Sequence, residues 1–358
     1  MLLRHLPARA AGVLAAAGTL LFAAACGGSD TATQDTDISG EEREVEFESG
    51  GATLHGTLTM PQGADEPVAG ALIISGSGPT DRDGNSPLRP DADTNRNFAD
   101  VLAEAGVASL RYDKLGSGET GTAGHDADDR VRFEDFEDGV VAAYAELAAQ
   151  PGVDPEQLLV LGHSEGALFA LRAPEVVEDP PPAGLLLAAP PGERYLDTID
   201  RQVTEQVRRA ESRGQFDAEH AAQVLSDTRY GVSRIRADEP LPDDLAAELD
   251  GVFEPQVEPF LRRIDAMDPV RLARDLPSGT ETLVLWGTAD SQIAESDIDR
   301  LMTGLDDGTR IDIADADHVF REYDDSPGAA ALDSERPFSE EVAPAVRDFL
   351  DTAAPGAV

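Results

Sequence analysis

The sequence predicts an α/β fold: a mostly parallel central sheet with helices on both faces, and a helical insertion over the strand ends. Three observations carry that expectation. From Val68 onward, short runs that are apolar on both faces alternate with stretches of helical periodicity, at residues 68–74, 107–110, 158–161, 184–189, 282–286 and 311–313. Parallel strands are covered on both sides, so they read as continuous apolar runs. The run 158–161 leads straight into Gly162-His163-Ser164-Glu165-Gly166, the spacing of a sharp strand-to-helix turn with a serine at its tip. Between Ala189 and Thr282 the alternation stops, and a long stretch of helical character takes its place.

The N-terminus precedes all of this. Arg4 and Arg9 are followed by an apolar run over residues 10–25, the two parts of an export signal. The run is too short and too early for a membrane-spanning helix. It ends Leu21-Phe22-Ala23-Ala24-Ala25-Cys26 and resembles a bacterial lipoprotein signal, in which small residues precede a cysteine that becomes lipidated. Residues 1–25 are therefore excluded from the fold. The protein is expected on the outer face of the cell membrane, held only by a lipid on Cys26; simple secretion after cleavage is the alternative. Cys26 is the one cysteine in the chain, so no intrachain disulfide is possible.

Residues 26–43 are polar and rich in Gly, Thr and Asp, and read as a flexible tether. Residues 45–60 hold two alternating runs separated by Ser49-Gly50-Gly51, which is a hairpin. Phe98, Val101, Leu102 and Ala105 form one apolar helical stripe, and Val131, Phe133, Phe136, Val140, Tyr144 and Leu147 another. Near the C-terminus Val342, Val346, Phe349 and Leu350 follow Ser339, an expected N-cap. Helical patterns at 195–212, 218–225, 245–253 and 259–266 fill the interruption. The expected division is a core of residues 44–189 and 279–353, with 190–278 as a lid over the strand ends; helices packed elsewhere on the sheet are the alternative.

Composition narrows the function. A chain of 358 residues with 41% hydrophobic content can bury one large domain with an insertion, or two domains. A net charge of −42 repels nucleic acid and anionic lipid headgroups, which sets both aside as partners. No Asp-x-Asp-x-Asp-Gly loop or similar ligand spacing occurs, so no metal site is expected.

A serine becomes nucleophilic only when a base takes its proton. Of the six histidines, His5 lies in the signal, His55 in the hairpin, His125 in an acidic loop and His220 in the insertion. His163 abuts Ser164, and neighbouring side chains on such a turn point apart. His318, just beyond the last strand, is the remaining base. The acid that orients it should sit at a strand end between the two. Asp290, after the run 282–286, meets that condition, with Asp317 and Asp268 as alternatives. An oxyanion needs two N–H donors. One should come from Glu165, the residue after the nucleophile. The other should come from the glycine-rich turn Ser75-Gly76-Ser77-Gly78-Pro79, with Ser77 favoured over Gly76.

These segments occur in order with two others, Pro79-Thr80-Asp81-Arg82-Asp83-Gly84-Asn85 and Arg111-Tyr112-Asp113-Lys114-Leu115-Gly116-Ser117-Gly118. Together they resemble bacterial α/β-hydrolase serine esterases, the branch near dienelactone hydrolases, prolyl-oligopeptidase-like and serine-aminopeptidase-like enzymes. The resemblance covers residues 45–189 and 282–350. It implies the α/β-hydrolase fold, action on small carboxylic esters without a cofactor, and Ser164, Asp290 and His318 as the triad. An exported aminopeptidase or dipeptidyl peptidase is the alternative activity, and a catalytically silent scaffold a third. The chain departs from the family pattern at Ser75, where histidine is frequent, and at Leu115, where arginine is common. Lys114 is the only lysine, and the resemblance places it in a loop beside the site, where a structural ion pair is expected rather than substrate contact. Arg82 is expected to pin the oxyanion loop.

Overall fold

The computed structural model describes residues 40–355 apart from 65, 126–128, 178–179, 243, 325 and 327–332. The expected export signal, Cys26 and most of the expected tether lie outside the described residues. Within them one eight-stranded sheet is built from β1 (Gly40–Ser49), β2 (Ala52–Pro61), β3 (Val68–Ile74), β4 (Ala108–Tyr112), β5 (Val153–His163), β6 (Gly184–Ala188), β7 (Glu281–Gly287) and β8 (Gly308–Ile313). Their spatial order is β1-β2-β4-β3-β5-β6-β7-β8. β2 runs antiparallel to both its neighbours, and the six strands from β4 to β8 are mutually parallel.

Each of the six apolar runs is one of the parallel strands. Register follows from burial: Leu110 lies beside Leu72, Leu72 beside Val160, and Val160 beside Leu185, all fully buried. Burying such a side chain stabilises by about 1.5–3 kcal/mol, so a row of them fixes neighbouring strands in line. Helices α1 (Thr94–Glu104), α2 (Phe133–Ala148), α3 (Gly166–Val176), α8 (Glu295–Met302) and α9 (Val342–Ala353) flank the sheet. α1, α2 and α9 bury the stripes that the periodicity marks, including Phe98, Phe133 and Leu350.

Some boundaries differ from the sequence reading. β1 begins at Gly40, so residues 40–43 are strand rather than tether; Glu42 accepts from Arg111 at 2.5 Å and Arg43 donates to Gln150 at 2.6 Å. Ser339 is not the N-cap of α9. That position is Glu341, and Ser339 closes the preceding turn by accepting from the Val342 N–H at 3.2 Å. The expected helix at 245–253 is only a 3₁₀ turn, Ala247–Leu249, because Gly251 turns left-handed at φ +83° and stops it.

Between β6 and β7 the chain forms α4 (Tyr195–Ser212), α5 (Ala218–Arg236), that 3₁₀ turn, α6 (Glu258–Asp265) and α7 (Pro269–Arg274). A buried carboxylate joins the first, second and fourth of these. Asp265 accepts from Arg194 at 2.7 Å, from Arg236 at 2.9 Å and from the Leu196 N–H at 3.0 Å.

Candidate active site

The turn between β5 and α3 places Ser164 at the carboxyl end of the sheet. Its φ is +54°, a left-handed conformation that costs a non-glycine residue on the order of 1–3 kcal/mol and is held only where its surroundings enforce it. They do so from both sides. The Ser164 N–H donates to Ala188 of β6 at 2.8 Å, and the Ser164 carbonyl accepts from Ala167 in the first turn of α3 at 3.0 Å. The flanking glycines are steric necessities. A Cβ on Gly162 would lie 2.3 Å from the Gly166 carbonyl oxygen, and one on Gly166 2.3 Å from that of Ile74.

Asp290 and His318 come from neighbouring strand ends. The Asp290 N–H closes a turn on Gly287, and the Ala289 N–H reaches Ala316 in the loop after β8, at 2.9 Å each. One Asp290 oxygen accepts from the N–H groups of Gln292 and Ile293 at 2.7 and 3.0 Å, which fixes the carboxylate. The other accepts from His318 Nδ1 at 2.7 Å. A carboxylate only accepts, so Nδ1 carries the proton and Nε2 is left with a lone pair. Ser164 and His318 line one cavity of about 360 Å³.

The alternative acids are engaged elsewhere. Asp317 accepts from Arg89 and Arg336 at 2.9 Å each; burial works against its ionisation, but the two guanidiniums hold its carboxyl below the usual value. Asp268 caps α7 and accepts from Arg300 at 3.2 Å.

Ser77 lines the cavity with Ser164 and His318, while Glu165 lines a smaller neighbouring hollow that shares Gly78 and Val252 with it. Among the described residues, no protein acceptor takes the N–H of Ser77 or of Glu165. The loop carrying Ser77 is fastened at several points. Ser75 Oγ donates to the Asp81 carbonyl at 2.9 Å, and Arg82 is buried against Asp113, Glu44 and Glu119 rather than its sequence neighbours. Lys114 pairs with Glu165 at 3.4 Å and does not line the main cavity.

Two features were not read from the sequence. His163, set aside as a base, donates from Nε2 to the His318 main-chain oxygen at 2.9 Å and so holds the loop that carries His318. Burial, with His318 beside it, pushes the His163 imidazole down to about 3, so it stays neutral. Its adjacency to Ser164 was the available signal. The second feature is the cavity wall: Val203 of α4, Val224 of α5, Leu249 and Val252 line the same cavity as Ser164. Helical periodicity marks such residues as buried but not against what. Among the described residues, no group of three or more His, Cys, Asp and Glu side chains is placed to hold a metal ion.

Comparison with known proteins adds to this geometry. A model of the alpha/beta hydrolase family matches residues 93–332. No curated protein matches the sequence. Among solved structures, Est1E from Butyrivibrio proteoclasticus, with ferulic acid bound, is similar at a TM-score of 0.52 and 18% identity, covering 86% of this chain and 97% of its own. The Pyrococcus furiosus esterase Pf2001 gives 0.50 at 17% identity over 90% of this chain and 96% of its own. The 2,6-dihydroxy-pseudo-oxynicotine hydrolase gives 0.52 at 15% identity, over 89% and 70%. At these identities the likeness is one of fold.

Proposed function

Because this chain belongs to the alpha/beta hydrolase family, we propose that it is a serine hydrolase of carboxylic esters that works through an acyl-enzyme. Ser164 attacks the acyl carbonyl while His318 takes its proton and passes it to the departing alcohol. Asp290 holds the imidazole in the required tautomer and stabilises its charged form. The Ser77 and Glu165 N–H groups receive the developing oxyanion, and water, deprotonated by the same histidine, then releases the acid. One observation carries the reading: a histidine anchored at 2.7 Å on a buried carboxylate lines the same cavity as a serine held at positive φ. The test is hydrolysis of p-nitrophenyl esters by purified protein. Ser164→Ala is expected to lower turnover by on the order of 10⁴–10⁶; survival of most of the activity removes the assignment.

In this proposal residues 190–278 act as a lid, since they supply the apolar wall facing Ser164. A series from acetate to octanoate reads its effect. Replacing Val203 with a larger side chain should shift preference toward shorter chains, and an unchanged profile argues against the lid. The proposed location is the outer face of the cell membrane through a lipid on Cys26. Loss of membrane association on Cys26→Ala is the expected result, and retention of it would contradict the anchor.

Glu248 and Asp250 line the same cavity and favour a second reading, an aminopeptidase that recognises a substrate amine. Glu248 is already bonded to His220 at 2.6 Å, which leaves the ester reading first. Aminoacyl-anilides compared with p-nitrophenyl esters separate the two.

A further inference from the structure

Lys114 is the chain's one lysine, and it is only 7% exposed. Burying an ammonium costs several kcal/mol, and an apolar side chain of the same size often stabilises as well or better. Stability is therefore a weak reason for its presence, and what it touches is the better guide. Its Nζ donates a hydrogen bond to the Gly76 carbonyl and lies 3.4 Å from Glu165 Oε1.

Those two residues frame the oxyanion donors. The Gly76 carbonyl and the Ser77 N–H belong to one peptide plane, and in a trans peptide the two point in opposite directions. An ammonium that holds the oxygen from behind turns the N–H away from itself. Lys114 lines the smaller hollow with Glu165 and Tyr195, whereas Gly76 and Ser77 line the main cavity. The N–H is thus directed to the side where an acyl oxygen would bind. The same ammonium anchors the side chain of Glu165, whose own N–H is the second donor. A hydrogen bond accepted by the carbonyl also polarises the peptide and strengthens what its N–H donates.

We propose that Lys114 is a positioning residue for the oxyanion site, aiming the Ser77 and Glu165 N–H groups by holding Gly76 and Glu165 from behind. The proposal rests on the ester-hydrolase reading above. It also links the site to the insertion, because Tyr195 of α4 faces the same carboxylate; burial and then Glu165 push the Tyr195 hydroxyl well above its ordinary value.

The test is the Lys114→Met/Glu165→Gln double variant of the full chain, which removes both charges and leaves neither unpaired. It is assayed on a p-nitrophenyl ester and on its thiono analogue. Sulfur accepts hydrogen bonds weakly, so the preference for oxygen over sulfur measures the donors themselves. We expect kcat to fall on the order of 10–100-fold with KM within about threefold, and the oxo-over-thiono preference to shrink in step. Affinity for an alkylboronic acid, a transition-state mimic, should weaken by a similar factor. An unchanged oxo-over-thiono preference in a folded variant overturns the proposal, whatever happens to kcat. If the double variant does not fold, Glu165→Gln alone is read the same way, with a smaller expected loss. Ser164→Ala, run alongside, separates the two failures. If it retains turnover, the ester-hydrolase reading falls and this proposal with it; if it is inactive while the preference is unchanged, only this proposal falls.

Discussion

The sheet and the segment 190–278 share one apolar core and differ in what is added to it. Across the sheet, rows such as Leu110, Leu72, Val160 and Leu185 set register by apolar burial together with the backbone ladder. The segment 190–278 buries Leu196, Ile199, Phe260 and Ile264 in that core and adds arginines on carboxylates that have left water: Asp265 takes Arg194 and Arg236, and Arg201 of α4 reaches Asp297 of α8 at 2.6 Å. Asp265 and Asp297 are each 1% exposed. Apolar burial decides that an element is inside, whereas paired charges of fixed geometry decide how one layer sits on another. Apolar burial serves both regions; buried arginine–carboxylate pairs seat the segment that walls the cavity, and beside the strand ends they fasten loops around Arg82 and Asp317.

If that division is right, substitutions in the two regions should fail differently. The largest effect belongs to the strand ends. Asp290→Asn reverses the hydrogen-bonding preference at His318 Nδ1 and should lower kcat on the order of 10³–10⁴-fold with little change in KM. A loss under tenfold would mean that the carboxylate does not orient the base. Next comes Asp265→Ala, which strands two half-exposed arginines that water can partly reclaim. About 2–3 kcal/mol of stability should go in urea unfolding, with KM rising several-fold and kcat nearly kept. A kcat collapse there, with KM unchanged, would erase the contrast between the regions.

A third substitution reads the strand ends through pH. The folded imidazole of His163 sits at about 3, against about 6.5 for an unperturbed histidine. Between those values the unfolded chain holds a proton that the folded chain refuses. Stability contributed by this group is thus complete above about pH 6.5 and is lost as pH falls toward 3, by roughly 2–3 kcal/mol at pH 4.5. His163→Gln keeps a donor for the His318 carbonyl but does not titrate, so the fall in Tm from about pH 7 to about pH 4.5 should be smaller than in the wild type. Equal falls would show that His163 is not held neutral. The smallest effect is expected at the edge of the sheet. Arg310 lies 5.7 Å from the Trp286 ring and bonds to Asp312, Asp299 and Glu295, whose side chains are mostly exposed. Arg310→Ala should cost about 1 kcal/mol or less, and less still in high salt.

The same contrast explains what the sequence disclosed. The parallel strands were legible because burial on both faces leaves the runs mostly apolar, and Asp290 and His318, which follow two of those runs, meet at 2.7 Å. α4 was legible to its bounds at Tyr195 and Ser212. α5 continues to Arg236, beyond the expected end at residue 225, since Ser226, Asp227, Thr228 and Gly231 are poor helix formers on their own. Packing overrides them: Thr228 is fully buried, and Gly231 lies where a Cβ would be 3.1 Å from the Phe253 ring. What periodicity could not supply was the seating of that helix. In a chain with 70 acidic residues, nothing local singles out Asp265 as the one that receives Arg194 and Arg236. Lys114 shows the opposite case, where rarity flagged the residue but only coordinates showed the Gly76 carbonyl beneath its ammonium.

The most direct measurement is to label the purified protein with a fluorophosphonate and locate the adduct by peptide mapping, while following ester turnover. One adduct is expected, on the peptide containing Ser164, rising as turnover falls and absent from Ser164→Ala. An adduct on a different serine, or full turnover in a protein whose Ser164 is completely labelled, would contradict it.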